Sequence, residues 1–265
     1  MGTLQRDGAT IHWEAHGKGP VILLGHSLLA DGAMWEDIVP ELAKTYRVLI
    51  PDARGHRYSV AHRGFSLNEL AQDWLAILNK EGVGQAIVGG LSMGGMTAMR
   101  LAHFAPARVS RLMLLDTRAG GENPTQRLKY RLMARAYRRF GLTKLLDDQV
   151  MTLMFGRDTR RDQPELVDRH RQRILKHDPE QIFHAVRAVA NRRDMSKHLP
   201  ALRMPSLVLV GDQDRATPPN CSRKINQLLP HASFKIIEGC GHLSAVEKPG
   251  VVLEHMLDFL HDAGA

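Results

Sequence analysis

The chain is poor in cysteine, poor in aromatics and free of long apolar runs. Two cysteines in 265 residues exclude a disulfide-stapled scaffold and suit a reducing compartment. No apolar stretch approaches the roughly 20 residues that a membrane-spanning helix needs. The segment from Met1 to Pro20 is polar and glycine-bearing, without the apolar centre of a signal peptide. Aromatics make up 5% of the residues, and they are not interleaved with basic residues as single-strand nucleic-acid binding favours. There is no dinucleotide fingerprint and no convincing His/Asp ligand spacing, so neither a cofactor nor a metal is expected. Internal repeats and low-complexity tracts are absent too. The expectation is a soluble, cytoplasmic, globular protein with no membrane span and no nucleic-acid partner.

What is present supports a full core. Apolar residues are 43% and charged residues 24% of the chain, which is ordinary for a folded protein. The unusual bulk property is charge, with 36 Lys+Arg against 28 Asp+Glu. Between Arg118 and Pro200 there are 19 basic and 10 acidic residues, whereas the rest of the chain holds 17 and 18. The whole excess therefore lies in one internal segment, which is either a set of solvated helix faces or an attractor for anionic substrates.

Strands and helices alternate over 1–117. Ala9–Glu14 and Val21–Gly25 read as strands joined by a glycine turn, Trp35–Lys44 as helical, and Arg47–Pro51 as a buried strand. Ser66 with Glu69 is a capping box opening a helix to Lys80. Ala86–Gly89 reads as a strand, Met93–Phe104 as a helix and Val109–Asp116 as a strand. From Thr117 to about Leu199 only helical periodicity remains. Alternation then resumes with Pro205–Gly211, Asn220–Leu229, Ser233–Ile237 and Val251–His261. Such alternation predicts a mostly parallel α/β sheet covered on both faces. The expected organisation is a core of 1–117 and 200–265, with 118–199 inserted as a helical cap over the strand C-termini, where open α/β sheets bind ligands.

The sharpest local feature is Gly90-Leu91-Ser92-Met93-Gly94-Gly95. G-x-S-x-G is weak alone, but here it stands between a strand and a helix, as a nucleophile elbow requires. The glycines leave room for a strained turn that lifts the Ser92 hydroxyl out of the sheet. The same turn sets the Met93 N–H at a helix N-terminus, where it can stabilise an oxyanion. A serine hydroxyl needs a base, and the base needs an orienting acid. After the strand at 205–211 comes Gly211-Asp212-Gln213-Asp214, and after the strand ending at Ile237 comes Glu238-Gly239-Cys240-Gly241-His242. Both lie at strand C-termini, at the same edge of the sheet as Ser92. Asp214 is assigned as the acid and His242 as the base. Asp212 and Asp116 are the competing acids, with Asp212 alternatively bracing its loop. The second oxyanion donor is assigned to the N–H of Leu28, in the loop Gly25-His26-Ser27-Leu28-Leu29. His26 and the segment Asp52–His56 are read as shaping and holding loops. Met133, Met151 and Met154 read as an adaptable apolar ceiling or as core of the helical segment, and Cys240 as a buried thiol.

Together these motifs resemble the α/β-hydrolase fold superfamily across nearly the whole chain. The elbow, Asp52–His56 (D-x-R-G-H), Gly211–Pro218 (G-D-x-D-x-x-x-P) and Gly239–His242 (G-x-G-H) carry the resemblance. His26-Ser27-Leu28, Met34-Trp35 and Arg47-Val48-Leu49 make it closest to the branch of 3-oxoadipate enol-lactonases and small cytoplasmic carboxylesterases. His26 replaces that branch's Asn, and Arg57 replaces a Gly after R-G-H, which predicts an altered turn with a positive charge facing the pocket. The implied activity is hydrolysis of a small ester or lactone through an acyl-enzyme, on a substrate that the basic cap suggests is carboxylate-bearing. The alternatives are carbon–carbon bond hydrolysis or perhydrolysis on the same three residues, and a hydrolase-like ligand-binding protein without turnover.

Overall fold

Five short runs that are apolar almost throughout build the centre of the molecule in the computed structural model, which describes residues 1–262. In chain order the elements are β1 (Gly2–Arg6), β2 (Ala9–His16), β3 (Val21–Gly25), a 3-10 turn (Gly32–Trp35) and α1 (Val39–Leu42). Next come β4 (Arg47–Pro51), β5 (Val60–Ala61), α2 (Leu67–Lys80), β6 (Ala86–Leu91), α3 (Met93–Phe104) and β7 (Val109–Leu115). Five helices follow without a strand: α4 (Pro124–Phe140), α5 (Lys144–Met154), α6 (Arg157–Asp162), α7 (Pro164–Ile174) and α8 (Pro179–Ala190). The chain closes with β8 (Ser206–Gly211), α9 (Pro219–Leu228), β9 (Ala232–Ile237), α10 (Ser244–Glu247) and α11 (Pro249–His261).

The strands form one sheet in the order β1-β2-β4-β3-β6-β7-β8-β9, with β5 paired to β2. From β4 onward along that order every pairing is parallel, while β1, β2 and β5 are antiparallel additions at one end. Parallel strands need a crossover helix between them and are covered on both faces, which explains their continuous apolar runs. Side chains alternate between two cores with the period of a strand. Ile22, Leu24, Val48 and Leu209 join one core with Trp35 and α11, whereas Leu23, Leu49 and Val208 join the other with α2, α3 and α9.

Several elements differ from the sequence expectation, among them the short β5 and α10, which it lacks. β1 adds an edge strand that the sequence reading lacks; its alternating half-exposed pattern buries little apolar surface. The expected helix Trp35–Lys44 is replaced by the 3-10 turn and the single turn of α1. Pro40 is the physical reason: proline has no N–H to donate and tolerates only the first turn of a helix, so the helix restarts at Val39.

The topology also locates a crevice. β3 is flanked by β4 and β6, so the chain leaves β3 toward one side of the sheet and returns on the other. The loops after β3 and β6 therefore part, and open α/β sheets bind ligands outside the strand C-termini at such a switch point.

Candidate active site

The turn after β6 sits at that switch point. Ser92 has φ 55° and ψ −109°, a conformation that side chains rarely adopt and that costs roughly 1–3 kcal/mol. Its neighbours have to be bare. A Cβ on Gly94 would lie 2.3 Å from the carbonyl oxygen of Gly25, and one on Gly90 would lie 2.6 Å from the carbonyl carbon of Gly94. The close approach is stitched by the Gly94 N–H, which donates to the His26 carbonyl at 3.1 Å. Thr117 donates from its hydroxyl to the Ser92 carbonyl at 2.7 Å, bracing the turn from the end of β7.

The structure brings Ser92, His242 and Asp214 together. His242 Nε2 lies 2.8 Å from Ser92 Oγ, and Nδ1 donates to Asp214 Oδ2 at 2.9 Å. All three residues are buried. Asp214 accepts further bonds from the N–H groups of Ala216 and Thr217, at 2.9 and 2.8 Å, and from the Thr217 hydroxyl at 2.7 Å. Burial alone would raise the Asp214 pKa, but His242 and the Thr217 donors outweigh it and hold the carboxyl below its ordinary value. Burial likewise opposes a charge on His242, yet the facing Asp214 carboxylate, with Asp116 and Glu247 behind, leaves its pKa raised.

The two competing acids lie elsewhere. Asp212 Oδ1 accepts from the Cys240 N–H at 3.1 Å, tying two loops together. Asp116 accepts from the Gly211 N–H at 2.9 Å and from the Ser244 N–H and hydroxyl. Burial and the nearby Asp214 charge push the Asp116 pKa well up.

Leu28 lines the space over Ser92, and it packs in one apolar cluster with Met93, the first residue of α3. Among the described residues neither backbone N–H has an acceptor. Leu29 follows with φ 64°, which turns the loop sharply. The His26 ring lies behind this loop, with Nδ1 donating to the Ser27 carbonyl at 2.8 Å and Nε2 accepting from the Ala53 N–H at 2.9 Å. Arg57 does not face the pocket. It pairs with Glu14 at 2.6 Å and stacks on Tyr58, so its charge stays beside the antiparallel strands.

A cavity of about 130 Å³ opens over Ser92 and His242. Its walls are mostly apolar side chains of the segment between β7 and β8, including Met133, Met154, Leu146 and Val186; Met151 packs in the core instead. One corner is polar. Arg192 is almost fully buried and pairs with Glu122 at 2.5 Å, and Arg118 shares the same carboxylate oxygen at 3.3 Å. Two guanidiniums against one carboxylate leave that corner with a net positive charge. Cys240 is buried outside the lining, and burial pushes its thiol pKa far up.

Sequence reasoning missed Glu247. Its buried carboxylate accepts from the N–H groups of Gly156 (2.9 Å), Gly241 (3.1 Å) and Leu243 (3.2 Å) and from the Thr159 hydroxyl (2.5 Å). It thereby ties the His242 loop to the start of α6. Those partners lie up to 91 residues away, so no local motif announces them. Among the described residues no cluster of His, Cys, Asp or Glu is arranged to hold a metal ion, and no helix is long and apolar enough to cross a membrane.

The elbow, the sheet order and the loop placements define an α/β-hydrolase fold, and the chain belongs to that family, whose model matches residues 20–249. Within it the chain is a hydrolase of the esterase and enol-lactonase branch. It is 33% identical to a thermophilic esterase from Thermogutta terrifontis solved with malate bound, over 95% of this chain and 93% of that one, with a TM-score of 0.90. The enol-lactonase from Burkholderia xenovorans LB400 superposes with the same score at 28% identity, over 98% and 99% of the two chains. A pimeloyl-[acyl-carrier protein] methyl ester esterase of Vibrio parahaemolyticus is 26% identical over 95% of this chain and 98% of its own.

Proposed function

We propose that the protein hydrolyses small carboxylic esters or lactones through an acyl-enzyme on Ser92. The observation that carries this reading is the unbroken contact chain from Ser92 Oγ through the His242 ring to Asp214. Neutral His242 accepts the Ser92 proton at Nε2 as Oγ attacks the carbonyl carbon. Asp214 holds the proton on Nδ1, which selects the tautomer with a free Nε2, and then stabilises the imidazolium. The N–H groups of Leu28 and Met93 receive the carbonyl oxygen as it becomes negative. His242 next gives its proton to the leaving alkoxide, and the acyl group stays on Oγ. A water, deprotonated by His242, attacks that ester and releases the acid.

Residues 118–199 act in this reading as a cap that closes the pocket. The small, largely apolar cavity suits a short acyl or lactone body. The cationic corner of Arg118, Arg192 and Glu122 suits a carboxylate at its far end. An esterase relative solved with malate bound is consistent with such an anion.

The test combines a label and a matched substrate pair. A fluorophosphonate probe is expected to label the wild-type chain and not Ser92→Ala. Ser92→Ala is expected to lose at least about 10³-fold in kcat on p-nitrophenyl butyrate while keeping its thermal unfolding midpoint. The mono-p-nitrophenyl ester of glutaric acid is expected to be cleaved with the higher kcat/KM, and that advantage to shrink with added salt. Near-full turnover by Ser92→Ala would remove the proposal, and an equal salt response of both esters would remove the carboxylate preference.

A further inference from the structure

A second cavity, of about 430 Å³, adjoins the Ser92 pocket at Arg192 and lies between the start of α2 and the C-terminal half of α8. Its charged walls are Arg100, Arg187, Arg192 and Arg193, against a single carboxylate, Glu69. Glu69 is already engaged: it accepts from the Ser66 N–H and hydroxyl at 2.9 and 3.0 Å and from Arg63 at 2.7 Å. Arg192 is neutralised by Glu122 on its other side. The other three arginines have no carboxylate partner among the described residues.

Arg100 is the informative member. It is 2% exposed, on α3, and among the described residues no carboxylate pairs with it. Its acceptors are the Asn68 side chain at 3.1 Å and the carbonyls of Met96 and Arg193 at 2.7 and 2.8 Å. Each of its three nitrogens therefore has a neutral acceptor, and none has an anionic one among the described residues. A desolvated cation left without a counter-charge is costly unless an anion supplies one. Burial and the neighbouring Arg192 charge lower its pKa to about 10, which still leaves it charged at neutral pH. Arg187 and Arg193 stand at the exposed rim of the same cavity. His184 also lines it, and its buried Nδ1 has no hydrogen-bond partner.

We propose that this cavity is a binding site for a phosphate-type oxyanion, distinct from the Ser92 pocket although Arg192 lines both. Arg100 forms the floor, Arg187 and Arg193 close on the anion from the rim, and His184 Nδ1–H adds a donor. Cations on several walls suit a tetrahedral dianion better than a flat carboxylate, which two parallel N–H groups would satisfy. The ligand is either free phosphate or the phosphate group of a small phosphomonoester, since a cavity of this size has room for an organic appendage.

The test is isothermal titration of the full chain at constant ionic strength with inorganic phosphate, glycerol 3-phosphate and acetate. Saturable binding of phosphate is expected, with acetate binding far more weakly. The double variant Arg187→Gln/Arg193→Gln is expected to weaken phosphate binding about 10-fold or more, with ester turnover and the ligand-free unfolding midpoint unchanged. Arg139→Gln/Lys144→Gln removes the same charge outside the lining, and it is expected to bind as the wild type does. Tighter binding of glycerol 3-phosphate identifies a phosphorylated ligand, and tighter binding of inorganic phosphate identifies the free ion. The proposal is overturned by heats that do not saturate, by acetate binding as well as phosphate, or by equal losses in the two double variants.

Discussion

At Ser92 the backbone works against the fold and, in the proposed mechanism, for the chemistry. Its left-handed φ of 55° is held because Gly90 and Gly94 let β3 and α3 close around the turn. The reward is a hydroxyl at 2.8 Å from His242 Nε2 and a Met93 N–H at the start of a helix, where no intrahelical acceptor exists. The Asp214–His242 bond makes a pH prediction. In the proposed mechanism proton abstraction needs neutral His242, and Asp214 raises the pKa of that ring against the opposing effect of burial. Activity is therefore expected to fall as pH drops through a midpoint above the ordinary histidine value of about 6.5. Asp214→Asn removes the carboxylate that favours the proton, so its midpoint is expected to move down, with kcat lower by about 10⁴-fold. Profiles of kcat/KM against pH check both, and an unmoved midpoint in the variant would contradict this account of His242. Glycines around Ser92 and His242 made those two residues legible in sequence. Asp214 and Asp212 stand two apart in one loop, and only side-chain direction separates them.

The helix α2 shows how an element far from the chemistry supports it. Ser66 Oγ accepts from the Glu69 N–H at 3.3 Å, and Glu69 accepts from the Ser66 N–H at 2.9 Å, so each side chain satisfies a donor at the helix start. About two turns on from Ser66, Trp74 packs over Gly25, where a Cβ would lie 2.2 Å from its ring. The cap thus fixes a helix that presses on the end of β3, immediately before the Leu28 loop. Ser66→Ala is expected to destabilise the protein by about 1 kcal/mol, measured by urea unfolding at neutral pH. Ser66→Ala and Glu69→Ala together are expected to cost less than their sum, because the two bonds form one reciprocal unit. The cap was readable because its rule is local, two residue types at a fixed spacing. The fate of Trp35–Lys44 was not, because apolar spacing alone does not register the break that Pro40 imposes.

Across the whole molecule, several histidines are buried without a carboxylate bonded to them. Burial, then the neighbouring His26 and His177 rings, push the His56 pKa well down. Burial and the Arg173 charge lower His170 to about 4, and burial lowers His177 as well. The unfolded chain binds these protons near pH 6.5 and the folded chain does not, so stability is present above about pH 6.5 and declines below it. For His170 the loss on reaching pH 4 is on the order of 3 kcal/mol. Urea unfolding at pH 7 and pH 4.5 is expected to show the decline, and His170→Gln to reduce it. A decline unchanged in that variant would mean that His170 takes up its proton equally in both states.

The layered α/β plan, the elbow and the helical character of the segment between β7 and β8 follow from the chain alone. Each rests on short-range rules: apolar periodicity, turn glycines and caps depend on residues a few positions apart. Tertiary structure alone decided that Asp214 faces His242, that Arg57 turns to Glu14, and that Glu247 secures the His242 loop to α6. It alone placed Arg100 inside the fold with no carboxylate paired to it among the described residues. These outcomes depend on which distant groups share a desolvated space. Sequence spacing carries no record of that, because charge and hydrogen-bond partners act through distance in the folded molecule.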